Sequence, residues 1–100
     1  MDMSALPISE REAASSVAEP WQVADGMLVA DYATSNMVRG GEFVARIIDA
    51  AEDLNHHPDI DIRYSSVYLA LMTHSVGALT ELDVDLANAI SKIAAELGLT

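Results

Sequence analysis

Ala51-Glu52-Asp53-Leu54-Asn55-His56-His57-Pro58-Asp59-Ile60-Asp61-Ile62-Arg63-Tyr64 is the stretch across which the apolar period of the chain changes. Before it, Phe43, Ile47, Ala51 and Leu54 recur at intervals of three and four, with Val44 and Ile48 widening the stripe. That spacing predicts a helix from about Met37 to Leu54. Asn36 stands where an N-cap belongs. Gly40-Gly41 weakens the first turns by roughly 1 kcal/mol per glycine relative to alanine, which leaves a later start open. Pro58 forbids continuation and leaves His56 and His57 in the loop beyond the helix end. Ile60, Ile62 and Tyr64 then alternate with Asp59, Asp61 and Arg63, the period-two pattern of a strand.

Working outward from this switch, Ser65-Ser66 reads as a turn and Val67 to Thr73, apolar on both faces, as a second, more central strand. Thr80-Glu81-Leu82-Asp83 opens a third helix, with Thr80 capping and Asp83 placed against the positive end of the dipole. Leu82, Leu86, Ile90, Ile93 and Leu97 form its stripe, and Gly98 closes it. On the N-terminal side, Ser9-Glu10-Arg11-Glu12 matches a capping box, and a short helix is expected from about Glu10 to Val17. Trp21, Val23, Met27 and Val29 around Asp25-Gly26 predict two strands joined by a tight turn. The order α-β-β-α-β-β-α favours an α+β fold, a four-stranded antiparallel sheet with three helices on one face. Residues 1–7 lack periodicity and are expected to be flexible; 8–100 are expected to form one domain.

Composition narrows the function. A chain of 100 residues with 51% hydrophobic side chains supports one modest core. The formal charge of −11 argues against nucleic acid and anionic membrane surfaces as partners. With no cysteine, disulfides, thiolate catalysis and cysteine-ligated metal centres are all excluded. No basic leader with an apolar core and no membrane-spanning run is present, so a cytoplasmic location is expected.

All three histidines fall in two clusters, His56-His57 and Thr73-His74. Isolated histidines are usually surface residues or partners of a backbone carbonyl. Collected in this way they suggest proton transfer near neutral pH. With Glu52, Asp59 and Asp61 nearby they also have the donor types of a zinc or iron site. No diagnostic metal-ligand spacing accompanies them, and adjacent residues in extended backbone point to opposite faces, so no metal is expected.

Ala51-Glu52, His56-His57-Pro58, Thr73-His74, Gly77-Ala78-Leu79-Thr80-Glu81, and Asp83 with Leu86-Ala87 occur at intervals that resemble those of the pterin-4a-carbinolamine dehydratases, over roughly Trp21 to Leu97. The resemblance implies the same α+β fold. It also implies dehydration of a 4a-hydroxytetrahydropterin to quinonoid dihydropterin, in support of aromatic amino-acid hydroxylation. His56 and His74 would share acid and base work, and His57 would bind and orient the pterin. Glu52, Pro58, Ile60, Thr73 and Asp83 would complete the substrate site, Asp83 by orienting an imidazole or binding the ring's donor edge. No cofactor is implied, since the pterin is the substrate; the expected partners are that pterin and further copies of the chain, as a dimer or tetramer. The alternative carried by the same resemblance is a non-catalytic dimerisation or assembly module. Two departures bear on the site. Ile60 stands where an aromatic is usual. Ala78 replaces a glycine, which implies strain if that position needs a positive φ.

Overall fold

In the computed structural model, which describes residues 6–99, α1 (Glu10–Ser15) begins where Ser9 accepts from the Glu12 amide at 3.0 Å. The expectation of a flexible N-terminus falls mainly on residues 1–5, outside the described residues; Pro7 forms an isolated antiparallel bridge with Thr80. β1 (Gln22–Ala24) and β2 (Met27–Ala33) follow, joined by Asp25 and Gly26 at φ 54° and 77°. Positive φ at both central residues gives a turn whose twist matches that of the paired strands. α2 (Met37–Leu54), β3 (Asp59–Ile62), β4 (Ser66–Leu71) and α3 (Glu81–Glu96) complete the α-β-β-α-β-β-α order. The four strands pair antiparallel in the order β1-β2-β4-β3.

Register decides which side chains meet the helices. The rows Ala30–Leu69–Ile60 and Tyr32–Val67–Ile62, with the pair Leu28–Leu71, lie on the covered face. Asp31–Tyr68–Asp61 and Val29–Ala70–Asp59 lie on the other. The core side of β2 is therefore out of phase with Met27 and Val29, the residues from which the strand was read. Phe43 and Ile47 of α2 and Leu86 and Ile90 of α3 are fully buried against Leu28, Leu69 and Leu71. Each such side chain contributes about 1.5–3 kcal/mol through removal from water. Tyr32 meets Phe43 edge-on at 5.0 Å and Trp21 at 6.5 Å.

Three element ends differ from the sequence reading, those of α1, β3 and β4, and α1 stops at Ser15, two residues short of Val17. α2 keeps its expected start at Met37 despite its glycines: Asn36 accepts from the Arg39 amide at 2.9 Å, and Gly40 is buried against Ile62 and Thr34. Tertiary contact there outweighs low propensity. β3 stops at Ile62 and leaves Tyr64 exposed in the turn, because the Arg63 amide already closes onto the Ser66 carbonyl at 2.8 Å. β4 ends at Leu71, and Thr73 pairs only with Ala78 in an isolated bridge. On the exposed side of that turn the Arg63 guanidinium hydrogen-bonds the Asp61 carboxylate through two contacts of 3.0 Å. These bonds hold the Asp61 carboxyl below its ordinary range and raise Arg63. Among the described residues no helix is long and apolar enough to cross a membrane.

Candidate active site

The end of α2 is closed by two crossed hydrogen bonds, Asn55 amide to Glu52 carbonyl at 3.2 Å and His56 amide to Ala51 carbonyl at 3.0 Å. This closure needs a left-handed residue, and Asn55 supplies it at φ 50°, ψ 43°, a conformation asparagine tolerates better than most side chains. The chain doubles back on the last helical turn, and two adjacent histidines part company. His56 turns inward and is 9% exposed, whereas His57 stays at the surface.

His56 Nε2 lies 2.5 Å from Oδ1 of Asp83, a carboxylate with no exposed surface. Asp83 sits in the first turn of α3, where the capping box of Thr80 and Asp83 is complete. Its Oδ2 accepts from the Thr80 amide at 3.0 Å and from the Thr73 hydroxyl at 2.8 Å. The Thr73 and Thr80 hydroxyls are themselves 2.8 Å apart. A carboxylate removed from water is costly unless donors replace its hydration, and these three donors do so. On the exposed side, His57 Nε2 is 2.5 Å from Glu52 Oε2, one helical turn back in the chain.

Beyond Leu71 the chain turns through residues 74–77, held by the Thr73 amide on the Ala78 carbonyl at 3.1 Å and by Gly77 at φ 64°. The positive φ falls on Gly77, and Ala78 is free of the strain that its replacement of glycine implied. His74 is exposed in this turn, beyond a strand that ends earlier than its sequence suggested.

These segments border an open cavity of about 300 Å³ lined by Asn55, His56, His57, Met72, Thr73, His74, Ser75 and Leu82. All three histidines and Thr73 are thereby brought together. Glu52 and Asp83 reach the cavity through the imidazoles they hold, not through its lining. Pro58 and Ile60 lie outside the lining; Ile60 packs on the core beside Leu69. Thr80 was read only as a helix cap. Its Thr-x-x-Asp spacing was visible, but the link to Thr73 depends on the tertiary fold. Nothing in the local pattern marked Met72 or Leu82 as lining.

Two carboxylate-held imidazoles and a third on an exposed turn thus border one small hollow of an α+β domain. Comparison with known proteins gives the family of that domain. A family model described as pterin 4 alpha carbinolamine dehydratase matches residues 5–93. A protein of Herpetosiphon aurantiacus, provisionally named a pterin-4-alpha-carbinolamine dehydratase, is 49% identical over 73% of this chain and 76% of its own length. A Mycobacterium tuberculosis protein with the same provisional name is 40% identical over 88% of this chain and 94% of its own length. A solved structure of a transcriptional coactivator/pterin dehydratase from Brucella melitensis superposes with a TM-score of 0.82 at 29% identity, covering 89% of this chain and 99% of that one. A pterin dehydratase-like RuBisCO assembly factor of the alpha-carboxysome shares the fold at a TM-score of 0.61 and 19% identity, over 74% of this chain and 86% of its own. The chain belongs to the pterin-4a-carbinolamine dehydratase family.

Proposed function

We propose that this chain removes water from 4a-hydroxytetrahydropterin to give quinonoid dihydropterin, and so returns the pterin used in aromatic amino-acid hydroxylation. The observation that carries this reading is the convergence of His56, His57 and His74 on one cavity, with Asp83 buried behind His56. A volume near 300 Å³ is at the small end of ligand sites and suits a bicyclic ring. In the reaction the C4a–O bond breaks as a proton reaches the departing hydroxyl. The adjacent ring nitrogen loses a proton, and a carbon–nitrogen double bond forms. Water leaves, and the proton count closes without a redox partner. His56 and His74 divide the acid and base work, each worth on the order of 10²–10⁴ in rate. His57, backed by Glu52, orients the ring.

The rival is a non-catalytic dimerisation or assembly role on the same fold. It is favoured by Met37, Val38 and Ile48, which α2 leaves 48%, 73% and 49% exposed. Self-association and catalysis are compatible, so the deciding experiment is chemical. Freshly generated 4a-hydroxytetrahydropterin should lose water far faster with the protein than without it. A rate equal to the spontaneous one would sink the enzymatic reading and leave the assembly role.

A further inference from the structure

Resting on that reading, we propose that Thr73 is a positioning residue and does not bind the pterin: its hydroxyl, fed by Thr80, locks Asp83 so that His56 carries its proton on Nε2 and works on the substrate through Nδ1. The argument is one of counting protons. An ionised carboxylate only accepts, so the Thr73 hydroxyl, 2.8 Å from Asp83 Oδ2, donates to it. Having one proton, Thr73 has none left for Thr80, and the 2.8 Å contact between the two hydroxyls runs from Thr80 to Thr73. The Thr80 oxygen in turn accepts from the Leu82 amide at 3.2 Å. Both donors to Oδ2, the Thr73 hydroxyl and the Thr80 amide, leave no place on that oxygen for an acid proton. The remaining oxygen, Oδ1, faces His56 Nε2 at 2.5 Å.

Every bond in the chain therefore has one direction: Leu82 amide to Thr80, Thr80 to Thr73, Thr73 to Asp83, with His56 Nε2–H meeting Asp83 from the other side. The His56 tautomer follows, because the partner of one ring nitrogen decides which nitrogen keeps the proton. Nδ1 has no hydrogen-bond partner among the described residues, and His56 lines the cavity. It is the nitrogen left to exchange a proton with a bound ring. Thr73 also borders the cavity, which makes it look like a binding residue, but its only proton is already committed.

The test combines ring nitrogen resonances with kinetics. In protein labelled with ¹⁵N-histidine, at mildly alkaline pH, His56 should show a protonated Nε2 and an unprotonated Nδ1. The opposite tautomer, or a pair of averaged nitrogens, overturns the proposal, and this reading requires neither a variant nor enzymatic activity. Loss of a hydrogen bond to a charged group then predicts that Thr73→Val lowers kcat by roughly 10- to 100-fold. KM should stay within about twofold of the parent value, since no substrate contact is removed. Thr73→Ser, which restores the hydroxyl, should recover most of the rate and the parent tautomer. A folded Thr73→Val with parental kcat and a raised KM overturns the proposal in favour of direct substrate binding. If Thr73→Val does not fold, the parent spectrum and the Thr73→Ser rate still decide. Absence of dehydratase activity in the parent would sink the proposed reaction and leave the tautomer result to be judged alone.

Discussion

The two halves of the histidine site are built on different physical terms. His56 and Asp83 have side chains 10% and 0% exposed, whereas His57 and Glu52 form a contact of the same 2.5 Å length at 57% and 68% exposure. Equal distances do not mean equal consequences. The buried pair is surrounded by fixed donors, and taking away one partner strands a charge in a place water cannot reach. The exposed pair competes with solvent and with the entropy of two mobile side chains. One half of the site is fixed by burial among donors, and the other is open to solvent.

The largest expected effect is at the buried half. His56→Ala should lower kcat by about 10²–10⁴ and, by leaving Asp83 unpaired, cost about 3–5 kcal/mol of stability. Denaturant titration beside steady-state kinetics reads both. A fully stable His56→Ala variant would break the comparison at its root. His74→Ala should depress turnover by a comparable factor with little change in stability, because its side chain lies on an exposed turn. At the outer half, His57→Ala should raise KM by roughly tenfold, at least as clearly as it lowers kcat, with less than about 1 kcal/mol lost in stability. Equal, small kinetic effects at all three histidines would refute the division of labour.

Next in size comes Ile60. Its side chain packs on the core in the row with Leu69 and Ala30. Ile60→Trp should overfill that row and destabilise by about 1–3 kcal/mol, leaving the affinity for a dihydropterin analogue unchanged. Tighter binding, read by fluorescence quenching, would mean that β3 contributes to the pocket after all. The smallest effect belongs to Asp61 and Arg63, an exposed pair. A carboxylate held below its ordinary range contributes stability above the unfolded value and loses it as pH falls through the folded one. Because the pair is exposed, Arg63→Ala should lower Tm only slightly at neutral pH, and that difference from the parent should disappear in strong acid.

Sequence was most informative where structure is set within one or two helical turns. Asn36 and Pro58 bracket α2, and the observed bounds agree with the periodicity between them. Thr80 and Gly98 do the same for α3; Gly98 at φ 72° donates to the Ala95 carbonyl while the Leu99 amide reaches back to Ala94. The Asp25-Gly26 turn was equally plain. Strand ends were less legible. Tyr64 continues the alternation of Ile60 and Ile62, but a strand lasts only as long as its partner, and the Arg63–Ser66 turn ends the pairing first.

Taken alone, the sequence determined the order of elements and the placing of all three histidines in two short clusters, with Glu52 close to the first. Caps, glycines and apolar periods act between neighbours, so they survive as a readable pattern. It could not determine which histidine goes inward, that Thr80 is wired through Thr73 to the same carboxylate, or that Ile60 belongs to the core. His56 and Asp83 are 27 residues apart, and the rows of the sheet pair residues from separate strands. Those relations exist only once α2, β4 and α3 have packed, because hydrogen bonds and burial depend on what is near in space, and no local period encodes that distance.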